Sequence, residues 1–148
     1  MRSCTLARLG ACLLSVLAFA AAAENSTSAG VYTVHHNAIS TDTLSPDIAK
    51  SYKIVRSRYR GLLTVSVIRE QEGTTGTPVS ARVDARSVNL AGQLRNLVMR
   101  EIREGDGVYY LGEFPIVDRE ILKFSLLVTP AGEQRPIEAN LSQQFFID

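Results

Sequence analysis

Cysteine and tryptophan are the scarcest features of this sequence. It contains two cysteines, Cys4 and Cys12, both near the N-terminus, and no tryptophan. A mature chain that lacks this N-terminal part has no disulfide framework and no thiolate for a soft metal site. It also lacks the buried Trp and paired cysteines of antibody-type domains. The domain must therefore be stabilised by its apolar core.

Recognisable catalytic motifs are also absent. The sequence has no G-x-S-x-G element of serine hydrolases, no H-E-x-x-H element of zinc proteases and no carboxylate pair predicted to face inward. No glycine-rich element typical of nucleotide binding is found. We therefore expect a protein that is not an enzyme and that needs no cofactor, with no metal site of its own and no nucleic-acid partner.

The first 23 residues have the three-part pattern of a secretory signal. Arg2 and Arg8 give a positive start, residues 9–19 are apolar, and residues 20–23 are alanines that precede Glu24. This apolar run is too short for a typical membrane span. We predict a signal peptide over residues 1–23, cleaved after Ala23 or one of the alanines before it, and an exported protein with no stable membrane span. An uncleaved anchor is the alternative.

The mature chain has the pattern of one small β domain. Residues 24–30 are small and polar and predict a flexible leader, and residues 31–148 are long enough for a single core. Alternating apolar and polar residues, separated by turn signals, predict strands over residues 31–39, 62–68, 78–86, 94–103, 108–114, 121–129 and 137–147. Ser45 and Pro46 mark the start of a short helix that ends near Tyr52. We predict an all-β, immunoglobulin-like β-sandwich of about seven strands with one short helix.

The same alternation indicates which side chains form the core. On residues 121–129 it places Phe124 and Leu126 on the inner face, and on the last strand it places Phe145 there. These three side chains are therefore our candidates for the centre of the sandwich.

Charge is unevenly distributed along the chain. Residues 50–103 carry eleven Lys or Arg and four Asp or Glu, whereas residues 104–148 carry three and eight. A basic middle segment favours an anionic partner. The alternative is that basic and acidic strands lie side by side and neutralise one another.

The adjacent histidines, His35 and His36, are the one place where metal chemistry can be argued. Neighbouring side chains on a strand point to opposite faces, so the two imidazoles cannot chelate one ion there. The alternation predicts that His36 faces the core and that His35 and Asn37 face outward together. A metal site would need His35 and partners distant in sequence.

Three arginines alternate through residues 56–60. If this segment is extended, the guanidinium groups of Arg56, Arg58 and Arg60 line one side and can clamp a carboxylate, a phosphate or an acidic protein edge, with Tyr59 beside them. The alternative is a charged, solvated edge strand that resists aggregation.

Five segments of the chain resemble a small family of exported proteins of Gram-negative bacteria that is catalogued as a domain of unknown function. They are Val34-His35-His36-Asn37-Ala38, Arg56-Ser57-Arg58-Tyr59-Arg60-Gly61, Asn89-Leu90-Ala91-Gly92-Gln93, Arg100-Glu101-Ile102-Arg103-Glu104-Gly105-Asp106 and Gln144-Phe145-Phe146-Ile147-Asp148. The resemblance implies a periplasmic β-sandwich without an established activity, and a family in which tyrosine is more common at position 36. The predicted domain is also loosely similar in shape to the sandwich modules that accompany bacterial copper and oxidase assembly factors.

These observations lead to one functional hypothesis and one alternative. We expect a periplasmic, non-enzymatic binding or adaptor module that recognises another periplasmic or envelope protein, or an anionic ligand, through a sheet face or edge. The candidate binding residues are His35, Asn37, Arg56, Arg58, Tyr59 and Arg60. The alternative is a metal or redox accessory protein that uses His35.

Overall fold

A computed structural model of the chain describes residues 25–148, so the predicted signal peptide lies outside the described residues. This part of the chain forms ten β-strands and one short α-helix. They are β1 (Ser26–Ala29), β2 (Tyr32–Ser40), α1 (Pro46–Ser51), β3 (Arg60–Arg69), β4 (Thr77–Pro78), β5 (Ala81–Asn89), β6 (Leu94–Leu97), β7 (Arg100–Glu104), β8 (Gly107–Pro115), β9 (Ile121–Pro130) and β10 (Ile137–Gln144). No helix within residues 25–148 is long and apolar enough to cross a membrane.

The strands form two antiparallel sheets that pack face to face. Sheet A has the order β1-β2-β3-β8-β7, with β4 also paired to β3, and sheet B has the order β10-β9-β5-β6. This confirms the predicted all-β sandwich with one short helix, while its kinship to immunoglobulin domains stays a prediction.

The core lies between the inner faces of the two sheets, as the alternation predicts. Phe124, Leu126 and Phe145 are at most 4% exposed. The ring of Phe114 on β8 meets Phe124 edge to face, with centroids 5.0 Å apart, and meets Phe145 at 5.5 Å. These aromatic contacts join sheet A to sheet B.

The structure corrects the prediction of a flexible leader over residues 24–30. Residues 26–29 instead form β1, which pairs with β2 from Ser26↔His35 to Ala29↔Tyr32. The outer edge of β2 would otherwise leave backbone amides and carbonyls without partners, and this short strand supplies them. These small polar residues therefore form a strand because they satisfy the backbone hydrogen-bonding groups at the edge of β2.

The structure also divides the strand predicted over residues 94–103. β6 belongs to sheet B and β7 to sheet A, and between them Val98 is 88% exposed while Met99 packs against the core. Strands that switch sheets form the corners of a sandwich. The pattern of apolar residues continues through this corner. Alternation along the chain therefore cannot show that residues 94–103 pass from one sheet to the other.

The predicted short helix is confirmed, and its position is informative. Ser45 caps α1 by accepting a hydrogen bond from the Ile48 amide at 3.3 Å, and Pro46 occupies the first turn. The segment of residues 41–59, which contains α1, lies against the outer face of sheet A. A second small cluster of buried residues forms there, made by Ala49, Ile54, Leu62 and Leu111.

Candidate functional site

The outer face of sheet A carries an apolar groove of about 260 Å³. Its floor comes from the strands of the sheet and its wall from the segment of residues 41–59. The floor residues are Ile39, Leu62, Thr64, Ile102, Glu104, Tyr109 and Leu111, and the wall residues are Leu44, Ile48, Tyr52 and Ile54. Ile48 is 47% and Tyr109 is 38% exposed, so apolar surface is open to a ligand.

Polar contacts hold the wall of this apolar groove in place. The Tyr52 hydroxyl donates a hydrogen bond to the Glu104 carboxylate on β7, and Arg100 on the same strand donates to the Tyr52 carbonyl oxygen. The hydrogen bond to Glu104 raises the pKa of Tyr52 above its usual value. Strand β7 thereby fixes the end of α1 over the sheet.

A polar patch continues the apolar groove along the same face. It is lined by Asn25, His35, His36, Asn37, Thr64, Ser66 and Tyr109. The register of β2 and β3 sets His35 opposite Ser66 and Asn37 opposite Thr64, so these side chains are neighbours. Thr64 and Tyr109 line both the patch and the groove. The two features are therefore one continuous surface with an apolar and a polar end.

The side chain of His36 is buried on the inner side of the sheet, as predicted, although the residue also contributes to the lining of the polar patch. It is 5% exposed, its Nε2 lies 3.2 Å from the Thr27 hydroxyl, and its buried Nδ1 has no hydrogen-bond partner within residues 25–148. Burial, and then the charge of His35, lower the pKa of His36. The imidazole is therefore held in its neutral form within the sandwich.

The two histidines consequently cannot share a ligand. Within residues 25–148, the structure contains no group of three or more His, Cys, Asp or Glu side chains placed to hold a metal ion.

The arginines of residues 56–60 point to three different partners. Arg56 donates to the Asp42 carbonyl oxygen at 3.0 Å, Arg58 donates to the Asp148 carbonyl oxygen, and Arg60 forms an ion pair with Glu113 at 3.2 Å. The condition for a clamp is not met, because the segment is not extended before Arg60. It turns at Arg58 and Tyr59, so the three guanidinium groups do not line one side.

The six predicted binding residues thus fall into two groups on the same sheet face. His35 and Asn37 lie together in the polar patch. The remaining four, Arg56, Arg58, Tyr59 and Arg60, lie where the wall segment returns to β3, and Tyr59 is 61% exposed. Arg60 and Ser66 are six positions apart on β3, which corresponds to about 20 Å along the strand. The apolar groove lies between the two groups.

Sequence reasoning missed the apolar groove, although two signals pointed to it. Val108, Tyr109, Tyr110 and Leu111 form an uninterrupted apolar run, which is typical of a strand covered on both faces. Leu44, Ile48 and Tyr52 recur every four residues, which is the spacing of one helix face. Taken together, the two patterns indicate a helical segment packed on the outside of a sheet.

The fold and this surface define the class of the molecule: a small all-β sandwich with an amphipathic groove on one outer sheet face. The chain belongs to the family described as Domain of unknown function (DUF4426), whose model matches residues 26–148. A comparison with curated proteins finds no similar sequence.

Solved structures show the same fold. A crystallised DUF4426 family protein (PA0388) from Pseudomonas aeruginosa PAO1 is 29% identical, with a TM-score of 0.69 over 83% of this chain and 94% of that one. FetP of uropathogenic Escherichia coli strain F11, expressed in the periplasm of E. coli, is 9% identical, with a TM-score of 0.58 over 82% and 92%. A copper-bound FetP variant gives 9% and 0.56 over 81% and 93%. The FetP likeness is one of fold alone.

Proposed function

We propose that this protein is a periplasmic, non-enzymatic binding module that holds a segment of another envelope protein on the outer face of sheet A. One observation carries the proposal: the apolar groove and the polar patch share Thr64 and Tyr109 and form a single amphipathic surface. A peptide segment combines an apolar side chain with polar backbone groups, and this surface offers a matching site to each.

The dimensions of the groove favour a peptide over a small organic ligand. About 260 Å³ is below the usual volume of a pocket that encloses a drug-sized molecule. It suits one or two anchoring side chains, whose burial contributes about 1.5–3 kcal/mol each. Beside it, His35, Asn37 and Ser66 provide side-chain donors and acceptors for the peptide backbone.

The proposed compartment rests on the signal pattern of residues 1–23 and on the resemblance to exported proteins. Sequencing the N-terminus of the protein recovered from a Gram-negative host should find Glu24 or a residue within three positions of it. Protein that accumulates in the cytoplasm and still begins at Met1 would contradict the assignment.

A displayed random-peptide library tests the binding proposal directly. Peptides selected on the folded protein should carry a bulky apolar residue, and their affinity should fall at least tenfold in Ile48→Glu, which places a charge in the wall of the groove. His35→Ala should weaken the same peptides by removing a polar contact. Binding is measured by fluorescence anisotropy on variants whose circular dichroism matches that of the native protein.

Val98→Glu is the matched control, because Val98 is equally apolar, 88% exposed and located on the β6–β7 corner. It should leave peptide binding unchanged. Peptides that bind the native protein, Ile48→Glu and His35→Ala with equal affinity would place the binding site elsewhere and overturn the proposal.

A metal or redox accessory role is the second candidate, favoured by the likeness of the fold to copper-bound FetP. In that case His35 acts with partners distant in sequence. Titration with Cu²⁺ or Zn²⁺ should then show stoichiometric binding that His35→Ala abolishes. Identical titrations of the native protein and the variant would eliminate this candidate.

A further inference from the structure

The outer face of sheet B, on the opposite side of the sandwich, carries a row of hydrogen-bonding side chains that crosses all four strands. Register places Asn140 of β10 opposite Ser125 of β9, Ser125 opposite Arg86 of β5, and Arg86 opposite Asn96 of β6. We call these four residues the polar row. Since neighbouring strands lie about 4.8 Å apart, the row spans about 14 Å.

The polar row lines a concavity of about 340 Å³. Asp84, Leu127 and Glu138 also line it. They lie in the next row, because Leu127 is opposite both Glu138 and Asp84. Leu127 is 41% exposed. The concavity therefore combines one cation, several amide and hydroxyl groups, two carboxylates and one apolar contact surface.

Two cations of this face are available to a ligand. Within residues 25–148, the side chains of Arg86 and Lys123 have no hydrogen-bond or ion-pair partner. Lys123 is two positions from Ser125 on β9, on the same face, and so lies diagonal to Arg86. By contrast, Arg82 on the same face of β5 pairs with Asp84 at 3.1 Å.

We propose that the polar row binds an anionic saccharide. A bare oxyanion needs only hydrogen-bond donors around it. This concavity also presents acceptors, on Asn96, Asn140, Asp84 and Glu138, and the hydroxyl groups of a sugar can donate hydrogen bonds to them. Arg86 and Lys123 pair with the charged group of the sugar, and Leu127 packs against its carbon–hydrogen face. A uronic acid carboxylate and a sugar phosphate share this chemistry.

NMR titration of the amide resonances with four probes tests the proposal and identifies the source of the charge. The probes are oligogalacturonate, mannose 6-phosphate, a neutral maltooligosaccharide and inorganic phosphate. At least one of the first two should shift amides near residues 84–86, 125–127 and 138–140, with an affinity at least tenfold above that of the last two. Equal affinity for inorganic phosphate or for the neutral sugar, or no shift in these residues with either charged sugar, would overturn the proposal.

Two variants establish that Arg86 makes the contact. Arg86→Gln should weaken binding of the charged sugar at least tenfold, since it removes a charge-assisted hydrogen bond and keeps a polar side chain of similar length. Arg82→Gln is the matched control on the same strand and should change the affinity less than twofold. An equal loss in both variants would indicate nonspecific charge attraction and overturn the site. Ile48→Glu should have no effect, which separates this site from the groove of sheet A.

Discussion

The hydroxyl of Tyr110 accepts a hydrogen bond from the backbone amide of Ala81 at 2.7 Å, and this contact joins β8 of sheet A to the first residue of β5 in sheet B. The same hydroxyl donates to the Glu101 carboxylate at 3.1 Å. Arg103 donates to Glu101 at 2.6 Å and to Ser80 at 2.8 Å. A network of side chains thus ties the edge of one sheet to the edge of the other.

Removing the Tyr110 hydroxyl should therefore weaken the junction between the sheets. Tyr110→Phe keeps the ring but leaves the Ala81 amide without its partner, so we expect a loss of about 1–3 kcal/mol in the free energy of unfolding. Tyr109→Phe is the control, because that side chain faces out of the sheet, and it should change stability by less than about 0.5 kcal/mol. Equal urea midpoints for both variants would show that the Tyr110 bond contributes nothing.

Truncating the aromatic core should be more costly. Phe124 is 1% exposed and contacts the ring of Phe114, so Phe124→Ala should cost about 3–5 kcal/mol, a large part of the about 5–15 kcal/mol typical of a domain. Phe146, which is 62% exposed, provides the comparison, and Phe146→Ala should cost under about 1 kcal/mol. A urea midpoint for Phe124→Ala close to that of Phe146→Ala would contradict this description of the core.

Stability should depend on pH through His36. Burial, and then the charge of His35, lower its folded pKa below the ordinary 6.5, so the unfolded chain binds this proton first as the pH falls. The free energy of unfolding should therefore begin to fall near pH 6.5 and stop falling once the folded imidazole is also protonated. The His36→Tyr variant should lack this pH-dependent fall in the free energy of unfolding, whereas His35→Gln should keep most of it. Parallel stability curves for the native protein and His36→Tyr between pH 8 and pH 5 would disprove the effect.

Arg58 and Arg60, at the far end of the outer face of sheet A, can be tested separately from the polar patch. Arg58 and Arg60 are engaged by Asp148 and Glu113, so replacing both by alanine should cost about 1 kcal/mol or less per contact. If they serve only these contacts, the affinity for selected peptides should stay within twofold of the native value. A tenfold loss in a normally folded double variant would place the arginines in the binding site, and Arg58→Lys would then show whether the planar guanidinium is required.

Patterns within single strands were readable from the sequence, and contacts between strands were not. Alternation correctly predicted the inward Phe124 and His36, and Ser45 followed by Pro46 correctly marked the start of α1. The end of β6 at Leu97 was not predicted, because the chain leaves one sheet for the other without a break in its apolar pattern. β1 was not predicted because its pairing depends on the free edge of β2, not on its own residues.

The same limit applies to the surfaces proposed for binding. Alternation placed His35 and Asn37 together on the outer face, since they are two positions apart on one strand. It could not bring Tyr109 or Ile48 beside them, because these residues belong to distant segments that meet only in the folded sheet. For the same reason the polar row of sheet B, with one residue from each of four strands, has no signature in any single stretch of sequence.

Ser40 and Gly61 lie directly opposite one another in β2 and β3, although residues 41–60 separate them along the chain. Two residues suffice to connect antiparallel strands, so the sandwich does not require the segment that walls the groove. The return to β3 is sterically constrained, because at Gly61 a Cβ atom would collide with the ring of Phe114. We therefore expect changes within this segment to alter what the groove accepts while the pairing of β2 with β3 is kept. The part of the chain that recognises a ligand is in this sense separable from the part that supports the fold.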